Sequence, residues 1–339
     1  MTTAGSAPGV SGYTWDGLPI AADAPHGATV VVRRPAPDRD QAEYLVLHRA
    51  HHGPDYAGDW AWTPPAGSRQ PGEAVLPAAL RELAEEGGLC PDPAELRPLD
   101  LSGRWVRFLL DVPEGTKARL VDAEHDRFEW LPAAAAIARC LPADVAAGIR
   151  QAHRVLAPTV RFRPLALTDL PALLEWQQAP HAARWFPERL DLATAARKYG
   201  PRIAGQSPTR VHVAVVDGVD VGFLQHYRVG DYPDYAGATG LPQAVGIDYV
   251  IGDPGLTGRG LGPQLIWSYL RDVALPVHPA ARHALASPDI GNHQSIRALV
   301  KAGFMPAGDI AMPGEASRER LCVLDAAKFF GERAGPSAR

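Results

Sequence analysis

Two short apolar runs open the N-terminal half, residues 28–33 (ATVVVR) and 43–48 (EYLVLH), each bounded by polar residues and turn formers. Runs of this length, rich in β-branched residues, read as buried strands, and the turn-rich stretch 35–40 joins them. The same pattern predicts strands over 105–112 and 127–131. Between these pairs a helix is expected from about Ala74, because Pro77 fits only a first turn, and Gly87-Gly88 should stop it. A closing helix is expected over 143–155. Helices and strands follow one another in α/β/α order.

The pattern breaks at Ala157-Pro158-Thr159 and then restarts. A strand is expected over 160–164 and a helix from Thr168, whose hydroxyl can cap it, to about Trp176. Strands over 211–216 and 219–227 flank Asp217-Gly218, a dipeptide suited to the positive φ angles of a tight hairpin turn. A further strand spans 246–252. The glycine-rich stretch 256–262 then leads through Pro263 into a helix with Leu265, Ile266, Tyr269, Leu270 and Val273 on one face. No repeat relates the halves, which implies a fusion rather than a duplication. The expected organisation is a tail over 1–12, domains over 13–156 and 157–333, and a second tail over 334–339.

A length of 339 residues exceeds what one typical core holds, in keeping with two domains. Net charge is −4, so no basic excess points to nucleic acid or an anionic membrane as partner. No apolar run reaches the length of a membrane span, and the N-terminal residues lack the charged and apolar regions of a signal peptide, so a cytoplasmic protein is expected. Cys90, Cys140 and Cys322 are far apart, which suits buried reduced thiols better than a disulfide frame or a zinc site.

Candidate chemistry concentrates in the first helix. Glu82, Glu85 and Glu86 are spaced i, i+3, i+4, so their carboxylates leave one helix face together. Such a cluster repels itself without a counter-ion, and hard cations such as Mg²⁺ or Mn²⁺ take oxygen ligands and pair with phosphates. The wider stretch is Gly67, five residues, Glu73, seven residues, then Arg81-Glu82-Leu83-Ala84-Glu85-Glu86-Gly87-Gly88-Leu89, which resembles the complete Nudix box. The resemblance implies an α/β/α sandwich around a mixed sheet, and hydrolysis of a nucleoside diphosphate linked to another group. It also implies roles: Arg81 orients Glu82; Glu82, Glu85 and Glu86 hold Mg²⁺ or Mn²⁺ and assist deprotonation of the attacking water. The Gly67 carbonyl completes the coordination, and Glu124 stands where many Nudix enzymes place another ligand or base.

In the second half, the glycine-flanked amides of Thr257-Gly258-Arg259-Gly260-Leu261-Gly262, at a helix N-terminus, suit a phosphate ligand. With the order of elements and residues 292–304, this stretch resembles the GNAT acyltransferases, over Val160 to Phe329. That resemblance implies a mixed, mostly antiparallel sheet and acetyl-CoA bound at Val250, Ile251, Thr257, Gly258, Arg259, Gly260, Gly262, Pro263 and Asn292. Within the family, 174–176, 222–227, Gly230-Asp231, 246–248 and 301–304 resemble aminoglycoside 6'-N-acetyltransferases. Asp231 and Asp248 are then expected to hold a cationic amine and to remove its proton. The sequence departs from these families at Thr257, where Gln or Arg is usual, at Leu299, where many carry a tyrosine acid, and at Ser287, where an acidic residue is usual.

Several readings stay open. The acceptor is a small amine, with an aminoglycoside as first candidate, while Ser287-Pro288-Asp289 and Asn292 also resemble siderophore-type N-acyltransferases. The first domain could instead bind a nucleotide without turnover and regulate the second, and the second could act as a scaffold. His48, His51, His52 and His125 read as ordinary polar or core residues, and Trp60, Trp62 and Trp105 as core strand residues.

Overall fold

A computed structural model describes residues 12–14, 17–36, 41–156, 158–312 and 317–332. Residues 1–11 of the tail expected over 1–12, the tail at 334–339, residues 37–40 of the turn-rich stretch 35–40 and Ala157 of the expected break lie outside the described residues. Two compact units emerge, one reaching His153 and including Lys328–Gly331, the other spanning Arg154–Ala327. Among the described residues no helix is long and apolar enough to cross a membrane.

The first unit contains β1 (Gly27–Pro35), β2 (Ala42–Arg49), β3 (Trp62–Thr63), β4 (Ala66–Ser68), α1 (Val75–Gly87), β5 (Arg97–Asp100), β6 (Trp105–Asp111), β7 (His125–Pro132), α2 (Ala133–Arg139) and α3 (Ala147–Ala152). Its strands form one sheet in the order β3-β2-β1-β6-β5, with β4 on β1 and β7 on β2. Only β1 and β6 run parallel, so the sheet is mixed. Val30, Val31 and Val32 are buried in succession, as expected of a central strand covered on both faces. Helix α1 packs on β1 and β4, and α3 packs on β1, β5 and β6. Pro77 lies in the first turn of α1, and Gly88 closes the helix in the left-handed conformation at φ 63.

The second unit contains β8 (Val160–Pro164), α4 (Leu170–Gln178), α5 (Leu192–Ile203), β9 (Arg210–Val216), β10 (Val219–Arg228), α6 (Pro233–Thr239), β11 (Val245–Ile251), α7 (Leu261–Tyr269), α8 (Leu275–Val277), β12 (His283–Ala286), α9 (His293–Lys301), β13 (Met305–Ala311) and β14 (Arg318–Asp325); α10 (Ala326–Phe330) follows. The sheet order is β13-β14-β12-β11-β10-β9-β8. All neighbours are antiparallel except β11 and β12. Asp217 at φ 49 and Gly218 at φ 84 make the tight hairpin turn between β9 and β10.

Four expectations need correction. The helix expected over 143–155 is confined to α3, because Pro142 and Asp144 start tight turns in which their carbonyls accept the Val145 and Ala147 amides. Thr168 does not cap α4. The Asp169 carboxylate fixes that start, accepting the Ala166 amide at 2.8 Å and pairing with Arg163 at 2.7 Å. Trp60 sits in a turn at φ 65, not in a strand. Cys90 is exposed just past α1, so only Cys140 and Cys322 are buried thiols.

Gly222 in β10 stands opposite Ile251, and a Cβ there would lie 2.0 Å from the Val250 carbonyl oxygen. Gly222→Ala should therefore force the two strands apart and lower stability by about 1–3 kcal/mol, read from urea unfolding. An unchanged midpoint would contradict this register.

Candidate active sites

In the first unit, the side chains of one helix face meet the loop around β4. Arg81 is the hub. Its Nε donates to Glu73 at 2.9 Å, Nη1 to Glu82 at 2.8 Å and to Glu85 at 2.9 Å, and Nη2 to the Ser68 carbonyl at 2.9 Å. Glu73 first, then Glu82, hold this guanidinium firmly charged. A Cβ at Gly67 would come 2.0 Å from Cδ of Glu82, so any larger residue there would displace the Glu82 carboxylate. The Gly67 carbonyl lies close to Gly27, 2.5 Å from where a Cβ of that residue would stand.

The four predicted carboxylates take different environments. Glu85 is half-exposed on Arg81, whereas Glu86 is 2% exposed and accepts the Ala66 amide at 2.8 Å. Glu124 pairs with Arg49 at 3.2 Å. Burial pushes the Glu82 pKa up to about 7 against the pull of Arg81, with Glu85 and Glu124 adding to the rise. Burial, followed by the charge of Glu124, also drives Glu86 well above the usual carboxylate range. Oxygen donors gathered at this charge density fit a hard divalent cation.

His125 was not promoted by sequence, yet its ring, Glu86 and Glu124 each offer a ligand atom within 4.8 Å of the others. Burial, then Arg49, lowers its pKa to about 3, so the imidazole is neutral. His48 behaves as a structural residue, with Nδ1 on Asp126 at 2.7 Å and Nε2 on the Tyr56 carbonyl at 2.8 Å. Trp62 is core, flanked by Arg127 and Arg139.

In the second unit, β12 pairs with β11 only at Val245–Ala284 and Gly246–Leu285. From Ile247 onward, among the described residues, that edge of β11 has no strand partner, and it includes Val250 and Ile251. His181 fixes the end of this edge by donating to the Ile251 carbonyl at 2.7 Å. Beyond it, Thr257 caps its own turn on Pro254 at 2.8 Å, and the Arg259 carbonyl accepts the Leu156 amide at 3.2 Å. Gly258 and Gly260 both have positive φ, 73 and 82, and lead into α7, where Gly262 and Pro263 occupy the first turn. A Cβ at Gly258 would meet open space, but one at Gly260 would strike Val155 at 2.6 Å. Asn292 caps α9 by accepting the Ser295 amide at 3.1 Å, and Leu299 is fully buried.

Asp248 is open to solvent yet recessed among surrounding protein. That recess raises its pKa, while a Gln225 hydrogen bond at 2.7 Å and the charge of Arg202 pull it down. Its charge and that of Glu319 both act on Tyr227 and Tyr235, and Gly246 allows the Tyr227 ring to lie against β11. Ser287 hydrogen-bonds to Tyr235 at 2.7 Å. Asp231 sits elsewhere, past the end of β10 and paired with Arg228 at 3.0 Å. Sequence reading missed Gln225, Tyr227, Tyr235 and Glu319. Gln225 and Tyr227 lay within the quoted 222–227 stretch, whereas no spacing linked Glu319 to it.

Residues 25–155 match the model of the NUDIX domain, and residues 166–312 match that of the acetyltransferase (GNAT) domain. The chain is 26% identical over 159 residues to aminoglycoside N(6')-acetyltransferase type 1 of Klebsiella pneumoniae, covering 46% of this chain and 78% of that protein. It is 38% identical over 98 residues to the 8-oxo-dGDP phosphatase NUDT18 of Homo sapiens, covering 27% and 29%. Among solved structures, AAC(6')-Ib in complex with paromomycin and acetyl-CoA is 26% identical with a TM-score of 0.46, covering 52% of this chain and 98% of that one.

The Glu82 pKa near 7 sets a pH dependence. Protons held on Glu82 and Glu86 must leave before a cation binds, so affinity for Mg²⁺ should rise with pH from about 5 through 7. Without metal, the folded chain keeps a proton that the unfolded chain releases above its ordinary pKa of 4.5, so stability should fall as pH rises through this window. Calorimetric titration at several pH values checks the first trend; an affinity flat with pH would contradict it.

Proposed function

From a chain that joins a Nudix hydrolase domain to a GNAT acetyltransferase domain, we propose two reactions: cation-dependent hydrolysis of a nucleoside diphosphate derivative, and acetyl transfer from acetyl-CoA to a cationic amine. One observation carries the first. Glu82, Glu85, Glu86 and Glu124 gather around Arg81 and Arg49, and Arg81 is already shared with Glu73. Two of these acids, Glu82 and Glu86, are buried with raised pKa values, and a cation held by Glu82, Glu85, Glu86 and Glu124, with the Gly67 carbonyl as a further oxygen donor, would stabilise their charged forms. A bound Mg²⁺ or Mn²⁺ would supply charge neutralisation and Lewis-acid polarisation of the phosphoryl oxygens.

The protein's own groups divide the remaining work. Arg81 holds Glu82 in place, and the Glu82 carboxylate can take the proton from the water that attacks phosphorus. The bond between phosphorus and the bridging oxygen then breaks. Ala66 fixes Glu86 through its amide, so the site is set by backbone as much as by side chains.

For the second reaction, acetyl-CoA is assigned to the free edge of β11 at Val250 and Ile251, to the loop at Thr257, Gly258, Arg259 and Gly260, to the first turn of α7 at Gly262 and Pro263, and to Asn292. Helix N-terminal amides suit its pyrophosphate, and the similarity to a known aminoglycoside acetyltransferase supports this reading. Asp248 takes the proton as the amine nitrogen attacks the thioester carbonyl and the thiolate leaves. With Glu319 nearby, Asp248 gives the recess the negative character that an aminoglycoside needs.

Glu86→Gln should reduce Mg²⁺-dependent hydrolysis of a panel of nucleoside diphosphate derivatives by roughly 10²–10⁴-fold while acetyl transfer stays intact. Equal hydrolysis across a magnesium titration would reject the cluster as the active site. Asp248→Asn should lower the acetylation rate of aminoglycosides by a similar factor with acetyl-CoA affinity retained. Turnover of a neutral amine with no aminoglycoside acetylated would reject this acceptor.

A further inference from the structure

His125 stands where an ordinary core histidine does not. It is 3% exposed, and neither ring nitrogen has a hydrogen-bond partner. Buried polar atoms are normally satisfied, so an imidazole with two orphaned nitrogens beside two carboxylates points to a ligand that the protein itself does not supply. The local backbone places it there. Arg49 faces His125 while His48 faces Arg127, a bulge that inserts Asp126 into β7. Asp122 accepts the Glu124 amide at 3.0 Å, fixing the approach to β7.

We infer that His125 is a direct ligand of the cation, completing with Glu86 and Glu124 a mixed nitrogen and oxygen site. The inference deepens the hydrolase reading and rests on it. The three ligand atoms lie within 4.8 Å of one another. Ligands about 2.1 Å from one ion sit roughly 3 Å apart when adjacent and 4.2 Å apart when opposite, so little contraction is needed. Nδ1 of His125 is 3.7 Å from Asp122, the side on which a ligating histidine usually meets a carboxylate, so Nε2 is the ligand atom. Arg49 also borders the cluster. A carboxylate has two oxygens, so Glu124 can keep Arg49 on one and offer the other to the ion.

An imidazole ligand has a consequence that an all-carboxylate site lacks. Nitrogen donors favour Mn²⁺ and later transition ions over Mg²⁺, so this site should prefer Mn²⁺. The direct test is pulsed electron paramagnetic resonance on the full chain loaded with one equivalent of Mn²⁺. A ¹⁴N modulation from bound imidazole is expected in the wild type and in His51→Ala, and should vanish in His125→Leu. Calorimetry should show Mn²⁺ affinity falling at least 10-fold in His125→Leu, with Mg²⁺ affinity falling less. Should His125→Leu misfold, His125→Gln, which keeps a polar group, gives the same comparison.

Bound Mn²⁺ without ¹⁴N modulation, or modulation that persists in both His125 variants, overturns the role of His125 and leaves the carboxylate platform standing. If the wild type binds neither Mn²⁺ nor Mg²⁺, or if Glu86→Gln binds both as the wild type does, the platform falls and the inference with it.

Discussion

A single guanidinium organises the first unit. Arg81 holds Glu73, Glu82 and Glu85 and reaches the Ser68 carbonyl, tying helix α1 to the loop that carries Gly67. Charge-assisted hydrogen bonds of this kind are strong and directional, so they can hold carboxylates together that would otherwise repel. The arrangement holds more acids than Arg81 can pair all the same. Glu86 and Glu124 lie beyond Arg81, where burial keeps Glu86 far from its ordinary ionisation. A neutral apolar core would be easier to stabilise, and persistence of buried acids without matching cations is the mark of a site made for a ligand.

The second unit depends on a geometric constraint instead. A sheet whose central strands pair for only two residues must open beyond them, and β11 and β12 do so from Ile247 onward. The exposed edge ends near the glycines that lead into α7. Extended ligands with amide groups can pair with such an edge, while their phosphates meet helix N-terminal amides. Asp248 belongs to the same strand, with Gln225 and Arg202 setting its orientation and charge. One strand thus carries both the proposed cofactor edge and the proposed base.

Local chemistry was legible in the sequence; long-range placement was not. The spacing of Glu82, Glu85 and Glu86 fixed them to one helix face, and Pro77 and Gly88 marked the helix ends, because both effects act within a turn or two. Spacing could not show that Glu85 stays half-exposed on Arg81 while Glu86 is buried, a difference made by β4 packing against α1. Nor could it raise His125 above the other histidines, since its setting comes from a bulge in β7 against β2. In the second unit the hairpin at Asp217-Gly218 was readable from turn chemistry. Glu319 reaches the neighbourhood of Tyr235 only through sheet order, which no local pattern encodes.

The central claim is that the buried acids of the first unit form a cation site. Anomalous diffraction from crystals of the full chain grown with Mn²⁺ reads this most directly. A peak about 2.0–2.6 Å from carboxylate oxygens of Glu82, Glu86 or Glu124 is the predicted result. Ordered Mn²⁺ elsewhere in the crystal, with none at this cluster, would contradict it.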